Sequence, residues 1–399
     1  MRNPQFLLDN DSIEYLWYFN IDEEDKNKNI SIFPKMYDYV QEKLIIQQEQ
    51  QQIFIANNKD KILMRHKPEL SYLDYLKEKG FEIPDLIYSY DLQSNKQDYH
   101  IVPYIITDCN LTEEYVKLVG ELNNKYEIRK LCEQFGLNTT KGFFCNSINE
   151  LVESYYILKG MGFDRTVIKV PYGSSGKGLF VLNTEKDFRN ILSFLKRRGD
   201  NFILLIEGWH DVKRNINTLL YIGENKITFL SITEQCVNSN GVYYGTNYTP
   251  TYNLSLIKKY YKQINKLFVK IRDLGYKGFL GIDSFIDTDN NLYPVIEINA
   301  RCTQVTYLLP LVVQLHKKYR FIESRIKKFI CMNKIQFNVF LEELQKKFPK
   351  ELNNNFLIYT FSNAEYSDKF HYKIGILFFS NDKNNIQNMM DILQILEFE

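Results

Sequence analysis

The sequence is poor in the residues that build metal clusters and nucleophilic triads. It has five histidines in 399 residues, and its six cysteines (Cys109, Cys132, Cys145, Cys236, Cys302, Cys331) form no C-x-x-C pair and have no His at metal-ligand spacing. That pattern argues against a zinc site, and the cysteines read as reduced core or surface thiols. An excess of charge of one sign is missing too. Fifty basic against 49 acidic residues leave a formal charge of +1, which gives no field to attract nucleic acid or an anionic membrane. Long apolar runs are also lacking: residues 307–315, among the longest, fall short of the roughly 18 needed for a membrane span. The opening residues run directly into Asp9, Asp11 and Glu14, which no secretory hydrophobic region tolerates. A soluble, cytoplasmic protein is expected.

Aromatic residues are abundant instead. Tyr (29) and Phe (28) make 15% of the chain aromatic with Trp, enough to build ample cores, and the length suggests two or three units. The pattern divides into an N-terminal domain at 1–115, a regular central domain at 116–321 and a small α+β module at 322–399. In the first, residues 53–56 read as a strand and 70–79 as a helix closed by Gly80, with the Gln-rich segment 47–52 as a helix end. His66 and His100 are lone histidines with structural roles. In the second, a helix opens after Asn123-Asn124-Lys125 and stops at Gly136. Ser147 and Glu150, then Thr184 and Asp187, cap the next two helices. Strands are expected at 166–170, 179–182, 202–207, 217–222 and 226–232. A Gly/Asn/Tyr-rich loop follows at 238–249, then a helix at 255–274 and a hairpin of 279–286 with 292–299 through Asp289-Asn290-Asn291. The tail is expected to start with a helix that includes 341–347. Strands at 356–361 and 375–379 and a helix near 388–396 complete it.

The chemistry begins in that hairpin. Read as a strand, residues 294–301 place Glu297, Asn299 and Arg301 on one face and Ile296, Ile298 and Ala300 on the other. An acid and an amide two residues apart are hard oxygen donors of the kind Mg²⁺ prefers, and a guanidinium suits a phosphoryl or carboxylate oxygen. A solvated edge strand would show the same alternation. Asp283 lies one hairpin upstream, and pairing through the turn brings it close to Glu297. Three oxygen donors without His or Cys favour Mg²⁺ over zinc.

Gly173-Ser174-Ser175-Gly176-Lys177-Gly178 follows a strand, so its amides and hydroxyls and the Lys177 charge can approach phosphates. It lacks the spacing and the following helix of a P-loop, and a strand comes next. Lys169 precedes the loop and Lys125 heads the earlier helix. Converging, the two could neutralise phosphates; unpaired, they are surface charges.

Together these motifs resemble the ATP-grasp enzymes. Lys125, Val167-Ile168-Lys169, the Gly/Ser loop, Ile206-Glu207 with Trp209 and His210, Asp283, and Glu297-x-Asn299 occur in that family's order over about residues 120–315. The resemblance implies an α/β (α+β) fold in which two α+β lobes clasp ATP, flanked by the N-terminal α/β domain and the C-terminal module. It implies that Lys125 and Lys169 contact phosphates, that Gly173, Ser174, Ser175, Gly176, Lys177 and Gly178 form a covering loop, and that Glu207 lies at the adenine edge. Trp209 and His210 would stand at the hinge between lobes. Asp283, Glu297 and Asn299 would hold two Mg²⁺ ions, for which Mn²⁺ can substitute. Arg301 and Lys177 would be the catalytic cations, with Arg301 facing the transferred phosphoryl or the substrate carboxylate. Two departures stand out. Arg214-Asn215 occupies the usual place of a ribose-binding acid, so that contact is either lost or made by Asn215, and Gly281 stands where some members have Arg.

Residues 62–64, 72–76, 233–235 and 245–247, with the tail, are similar to peptide ligases of the pheganomycin type. The implied reaction is ATP-dependent activation of a small carboxylic acid or amino acid as an acyl phosphate, then amide formation with an amine or peptide. Acylation of a carrier-protein thiol shares the first half. Phosphorylation of a stable acceptor and a non-catalytic ATP-binding protein are the further alternatives. Neither nucleic acid nor membrane is expected as a partner, and a homodimer is left open.

Overall fold

The computed structural model describes residues 13–25, 38–88, 99–106, 111–173, 178–199 and 202–398. Residues 1–12, Cys109, and Ser174, Ser175, Gly176 and Lys177 of the expected phosphate loop lie outside the described residues.

The N-terminal part is a parallel sheet ordered β3-β2-β1-β4, from β1 (Tyr15–Tyr18), β2 (Lys61–Met64), β3 (Asp85–Tyr88) and β4 (His100–Pro103). Helix α1 (Tyr39–Ile46) continues into a 3₁₀ segment, Gln47–Phe54, and α2 (Leu70–Glu78) closes at Gly80 as expected. Helices α3 (Glu113–Leu122) and α4 (Lys125–Gln134) lead into the next part, and the Asn124 side chain caps α4 by accepting from the amides of Tyr126 and Glu127.

A small lobe follows. Its antiparallel sheet, ordered β5-β8-β6-β7, consists of β5 (Gly142–Cys145), β6 (Thr166–Lys169), β7 (Leu179–Leu182) and β8 (Leu204–Gly208). Helices α5 (Ile148–Gly160) and α6 (Glu185–Lys196) cover it, burying Leu151, Tyr155, Phe188 and Leu195 against Ile168 and Ile206. The Thr184–Asp187 capping box is present. At Ser147 only half of the expected box forms, because Glu150 reaches the amide of Asn146 rather than that of the cap residue.

The large lobe is built on an eight-stranded antiparallel sheet ordered β13-β12-β9-β10-β11-β14-β16-β15. Its strands are β9 (Val212–Ile222), β10 (Ile227–Val237), β11 (Tyr243–Asn247), β12 (Gly278–Asp287), β13 (Leu292–Asn299), β14 (Phe321–Cys331), β15 (Phe356–Tyr366) and β16 (Lys369–Ser380). Helix α7 (Leu254–Asp273) packs Tyr260, Ile264, Leu267 and Phe268 against one face, contributed by Ile216, Leu220, Ile282 and Ile298. The other face carries polar residues. Helices α8 (Gln304–His316), α9 (Phe337–Lys347) and α10 (Lys383–Ile395) complete the chain. The last three strands extend the same sheet, and their core is continuous with that of the N-terminal part.

Three expectations need correction. Residues 53–56 are not a strand, because the 3₁₀ segment before them is pinned by its glutamines. Gln47 and Gln50 each exchange two hydrogen bonds with the backbone of β15, at Asn363 and Phe361 respectively, at 2.7–3.1 Å. Side-chain amides thus take the place of a neighbouring strand at the sheet edge. Residues 238–249 are not simply a loop, since β10 and β11 form a hairpin whose second strand pairs with β14. The tail opens with strand β14 rather than a helix; Glu323, Arg325 and Lys327 alternate with Ile322, Ser324 and Ile326, and Lys328 interrupts the pattern.

Candidate active site

The register of the hairpin sets the centre of the site. Asp283 on β12 pairs directly with Glu297 on β13 and with Asn217 on β9, while Gly281 pairs with Asn299. Directly opposed residues share a face, so the polar face lies away from α7. Asp283 Oδ1 accepts from Asn217 Nδ2 at 2.7 Å and Gln235 Nε2 at 2.8 Å, and Oδ2 accepts from Asn299 Nδ2 at 3.3 Å. No cation touches this carboxylate at ion-pair distance among the described residues. Burial, aided by the neighbouring Glu297, pushes its carboxyl up to about 6. Gly281 has a steric reason: a Cβ there would meet Thr303 Cγ2 at 2.7 Å, which leaves no room for the Arg of other members.

Lys125 joins the two lobes. Its ammonium donates to Glu297 Oε1 at 3.1 Å and to the carbonyl of Gly173 at 2.7 Å, and its amide donates to the carbonyl of Pro171 at 2.9 Å. The first residue of α4 therefore links the metal-candidate hairpin to the root of the glycine-rich loop. Gly178 closes that loop at φ +87, where a Cβ would meet Val170 Cγ2 at 2.6 Å, so only glycine fits.

Glu207 sits at the floor of the small lobe, ion-paired to Lys169 and to Arg129 Nη1, the latter at 2.6 Å. Arg129 Nη1 also donates to Thr140 Oγ1 at 3.0 Å. Burial pushes the Glu207 carboxyl up, but the Lys169 and Arg129 charges outweigh it and hold it below the usual range. A narrow crevice lined by Lys125, Arg129, Thr140, Lys169, Glu207 and Ile296 runs between these groups. Arg129 escaped the sequence reading, although it stands one helical turn after Lys125.

The remaining candidates are more scattered. Trp209 lies under the Arg165 guanidinium, 5.5 Å from it. His210 is ringed by Phe163, Phe285 and Tyr293 at 4.8–5.7 Å, and burial holds it below the usual imidazole range. Asn215 pairs with Phe285, two residues along β9 from Asn217. Arg214 is occupied by Glu234 through two contacts of 2.6 Å, so it is a structural cation. Arg301 does not continue the alternation, because β13 ends at Asn299. The Arg301 amide turns back to the Asn299 carbonyl, and its buried guanidinium donates to the Tyr104 hydroxyl of the N-terminal part at 3.0 Å.

The chain matches the ATP-grasp domain model over residues 122–305, the segment that contains every group above except Tyr104. It is also 37% identical to the [butirosin acyl-carrier protein]–L-glutamate ligase of Niallia circulans, with 96% of this chain and 94% of that protein covered. The chain belongs to the ATP-grasp ligase family. The ATP-grasp fold extends beyond the matched segment. N5-carboxyaminoimidazole synthetase of Staphylococcus aureus, solved with ADP, superposes with a TM-score of 0.55 at 16% identity over 95% of this chain and 97% of that one. Phosphoribosylamine–glycine ligase of Thermotoga maritima gives 0.58 at 12% identity over 96% and 97%. An ATP-grasp ligase consumes ATP, and the donors here suit a hard divalent cation with it. Asp283, Glu297 and Asn299 offer only oxygen, and Asn217 Oδ1 beside them is buried without a hydrogen-bond partner. The described residues hold no cluster of three His, Cys, Asp or Glu, so two carboxylates would rely on amide and phosphate oxygens to complete the shell.

Proposed function

We propose that this ATP-grasp ligase activates a small carboxylic acid, of the amino-acid class, as an acyl phosphate and transfers the acyl group to a nucleophile presented by a carrier protein. The observation that carries the reading is the Lys125 contact, which ties Glu297 to the root of the phosphate loop across the two lobes. Lys125 and Lys169 would neutralise phosphate oxygens, and the nucleobase would lie against the segment from Glu207 to His210, with Asn215 towards the ribose. Lys177 and Gly173–Gly178 would cover the phosphates. Arg301 would face the acid, with Tyr104 fixing its guanidinium. Mg²⁺, held by Asp283, Glu297 and Asn299, would screen the transferred phosphoryl.

In the first step a carboxylate oxygen forms a bond to the γ-phosphorus and the bond to ADP breaks. The nucleophile then adds to the acyl carbon and inorganic phosphate leaves. Such chemistry needs positioning and exclusion of water more than a strong base, in keeping with a site rich in cations and amides. The acceptor is assigned to a carrier protein because the Niallia circulans relative acts on one. Amide formation with an amine or peptide is the alternative second half. No helix among the described residues is long and apolar enough to cross a membrane, and a cytoplasmic site of action suits an ATP-consuming ligase.

The test incubates the protein with Mg-ATP, L-glutamate and the phosphopantetheinylated butirosin carrier protein, and follows ADP release and the carrier's intact mass. The expected product is a carrier heavier by one glutamyl group, with ADP formed only when all components are present. Loss of the added mass in hydroxylamine identifies a thioester, and persistence identifies an amide. AMP as product would overturn the acyl-phosphate route.

A further inference from the structure

Asp283 is held in an unusual way for a buried carboxylate. Its three donors, Asn217, Gln235 and Asn299, are all neutral carboxamides. They come from β9, β10 and β13 and converge through the register of a single sheet face. Each amide that points its nitrogen at the carboxylate turns its oxygen elsewhere. For Asn217, 3% exposed, that oxygen is buried and meets no donor. A buried acceptor left unsatisfied costs about 1–3 kcal/mol. A cation beside Asp283 would supply the contacting positive charge that the carboxylate lacks and would give the Asn217 oxygen a partner.

We propose that Asn217 is a further oxygen donor to the divalent cation at Asp283. This rests on the metal assignment made above for Asp283, Glu297 and Asn299. Asn217 and Gln235 hold the carboxylate in place with N–H groups. With a divalent cation bound, the Asn217 oxygen would join Asp283, Glu297 and Asn299 in holding it. Mg²⁺ and Mn²⁺ are hard cations that take oxygen ligands, carbonyl oxygens among them. Gln235 remains a positioning residue, since its donor function alone is visible.

The two roles of an amide predict opposite signs. If Asn217 only donates to Asp283, it competes with the cation, and Asn217→Ala should leave Mn²⁺ affinity unchanged or raise it. If it supplies an oxygen, the same substitution should weaken Mn²⁺ binding about tenfold or more. The experiment titrates Mn²⁺ into the full chain with a non-hydrolysable ATP analogue, reading free Mn²⁺ by electron paramagnetic resonance; no turnover is required. Gln235→Leu, which removes a donor to the same oxygen but no candidate ligand, should weaken Mn²⁺ less than Asn217→Ala does. Asn217→Asp keeps an oxygen and loses the N–H, so it should bind Mn²⁺ at least as tightly as the parent even if Asn217→Ala fails to fold. Unchanged or tighter binding by Asn217→Ala, or weaker binding by Asn217→Asp, overturns the proposal. Absence of Mn²⁺ binding by the parent chain would instead overturn the metal assignment itself.

Discussion

The two lobes each bury one carboxylate at the cleft and treat it in opposite ways. Glu207 in the small lobe is compensated by two cations, Lys169 and Arg129, which hold its carboxyl below the usual range. Asp283 in the large lobe accepts hydrogen bonds only from neutral amides, and burial pushes it up to about 6 although the Arg301 charge acts on it from beyond contact distance. A compensated carboxylate is an anchor: its work is to hold Lys169 and Arg129 in place. One at the same depth that touches no cation is suited to hold a positive charge. Burial of the group alone therefore does not reveal its role; the charge of its partners does.

The sharpest way to break this comparison is to remove the acid that stands between the two regimes. Glu297 touches Lys125 and opposes Asp283. Glu297→Ala should abolish ADP formation, a loss on the order of a thousandfold or more, while circular dichroism shows the fold retained. Retention of a tenth of the activity would show that the large-lobe face is not where the cation works.

Glu207→Gln should act on stability first. It leaves Lys169 and Arg129 buried beside a neutral amide, and breaking such a pair from one side costs about 3–5 kcal/mol. Urea unfolding should therefore shift strongly, and ATP should raise the midpoint of the variant more than that of the parent, because phosphates replace the lost countercharge. If the midpoint is unmoved, Glu207 is not an anchor.

Away from the cleft, the glutamines that close the sheet edge offer a region where neutral donors serve structure alone. Gln50→Leu strands the amide and carbonyl of Phe361, at about 1–3 kcal/mol. Hydrogen exchange at Phe361 should accelerate while the KM for ATP stays unchanged. A change in KM without faster exchange would place this edge in the catalytic machinery instead.

How much of this was legible in sequence depends on the range of the contact. Lys125 was legible because the Asn124 cap is local, and Glu297 and Asn299 because a strand's period of two is local. Arg301 was misplaced by that same rule, since the strand stops two residues earlier. Asn217 and Gln235 lie 66 and 48 residues from Asp283, and only the register of β9, β10 and β12 brings them there. The Gln-rich segment could be read as a helix end, but not its attachment to β15 more than 300 residues downstream.

Glu49 sharpens the comparison with a third environment and the smallest effect. It is fully buried, accepts from the amides of Arg65 and His66 at 2.9 Å each, and among the described residues has a single cation, Arg65 Nε, at 3.6 Å. Burial outweighs these partners and pushes its carboxyl up from 4.5 to about 7. A folded-state value above the unfolded one means that the group's stabilising contribution is complete below about pH 4.5 and is lost as pH rises through about 7. Between pH 6 and 8 the parent chain should thus lose stability that Glu49→Gln does not, because the amide keeps an acceptor for both backbone N–H groups and has no proton to release. The expected difference is about 1 kcal/mol over that interval, bounded by the roughly 1.4 kcal/mol per pH unit that one proton can contribute. Urea titrations of the two proteins at pH 6, 7 and 8 measure it as a divergence, in which every group they share cancels. Parallel curves would mean that one guanidinium at 3.6 Å is enough to keep a buried carboxylate ionised, and the distinction between cation-held and amide-held acids would no longer separate Glu207 from Asp283.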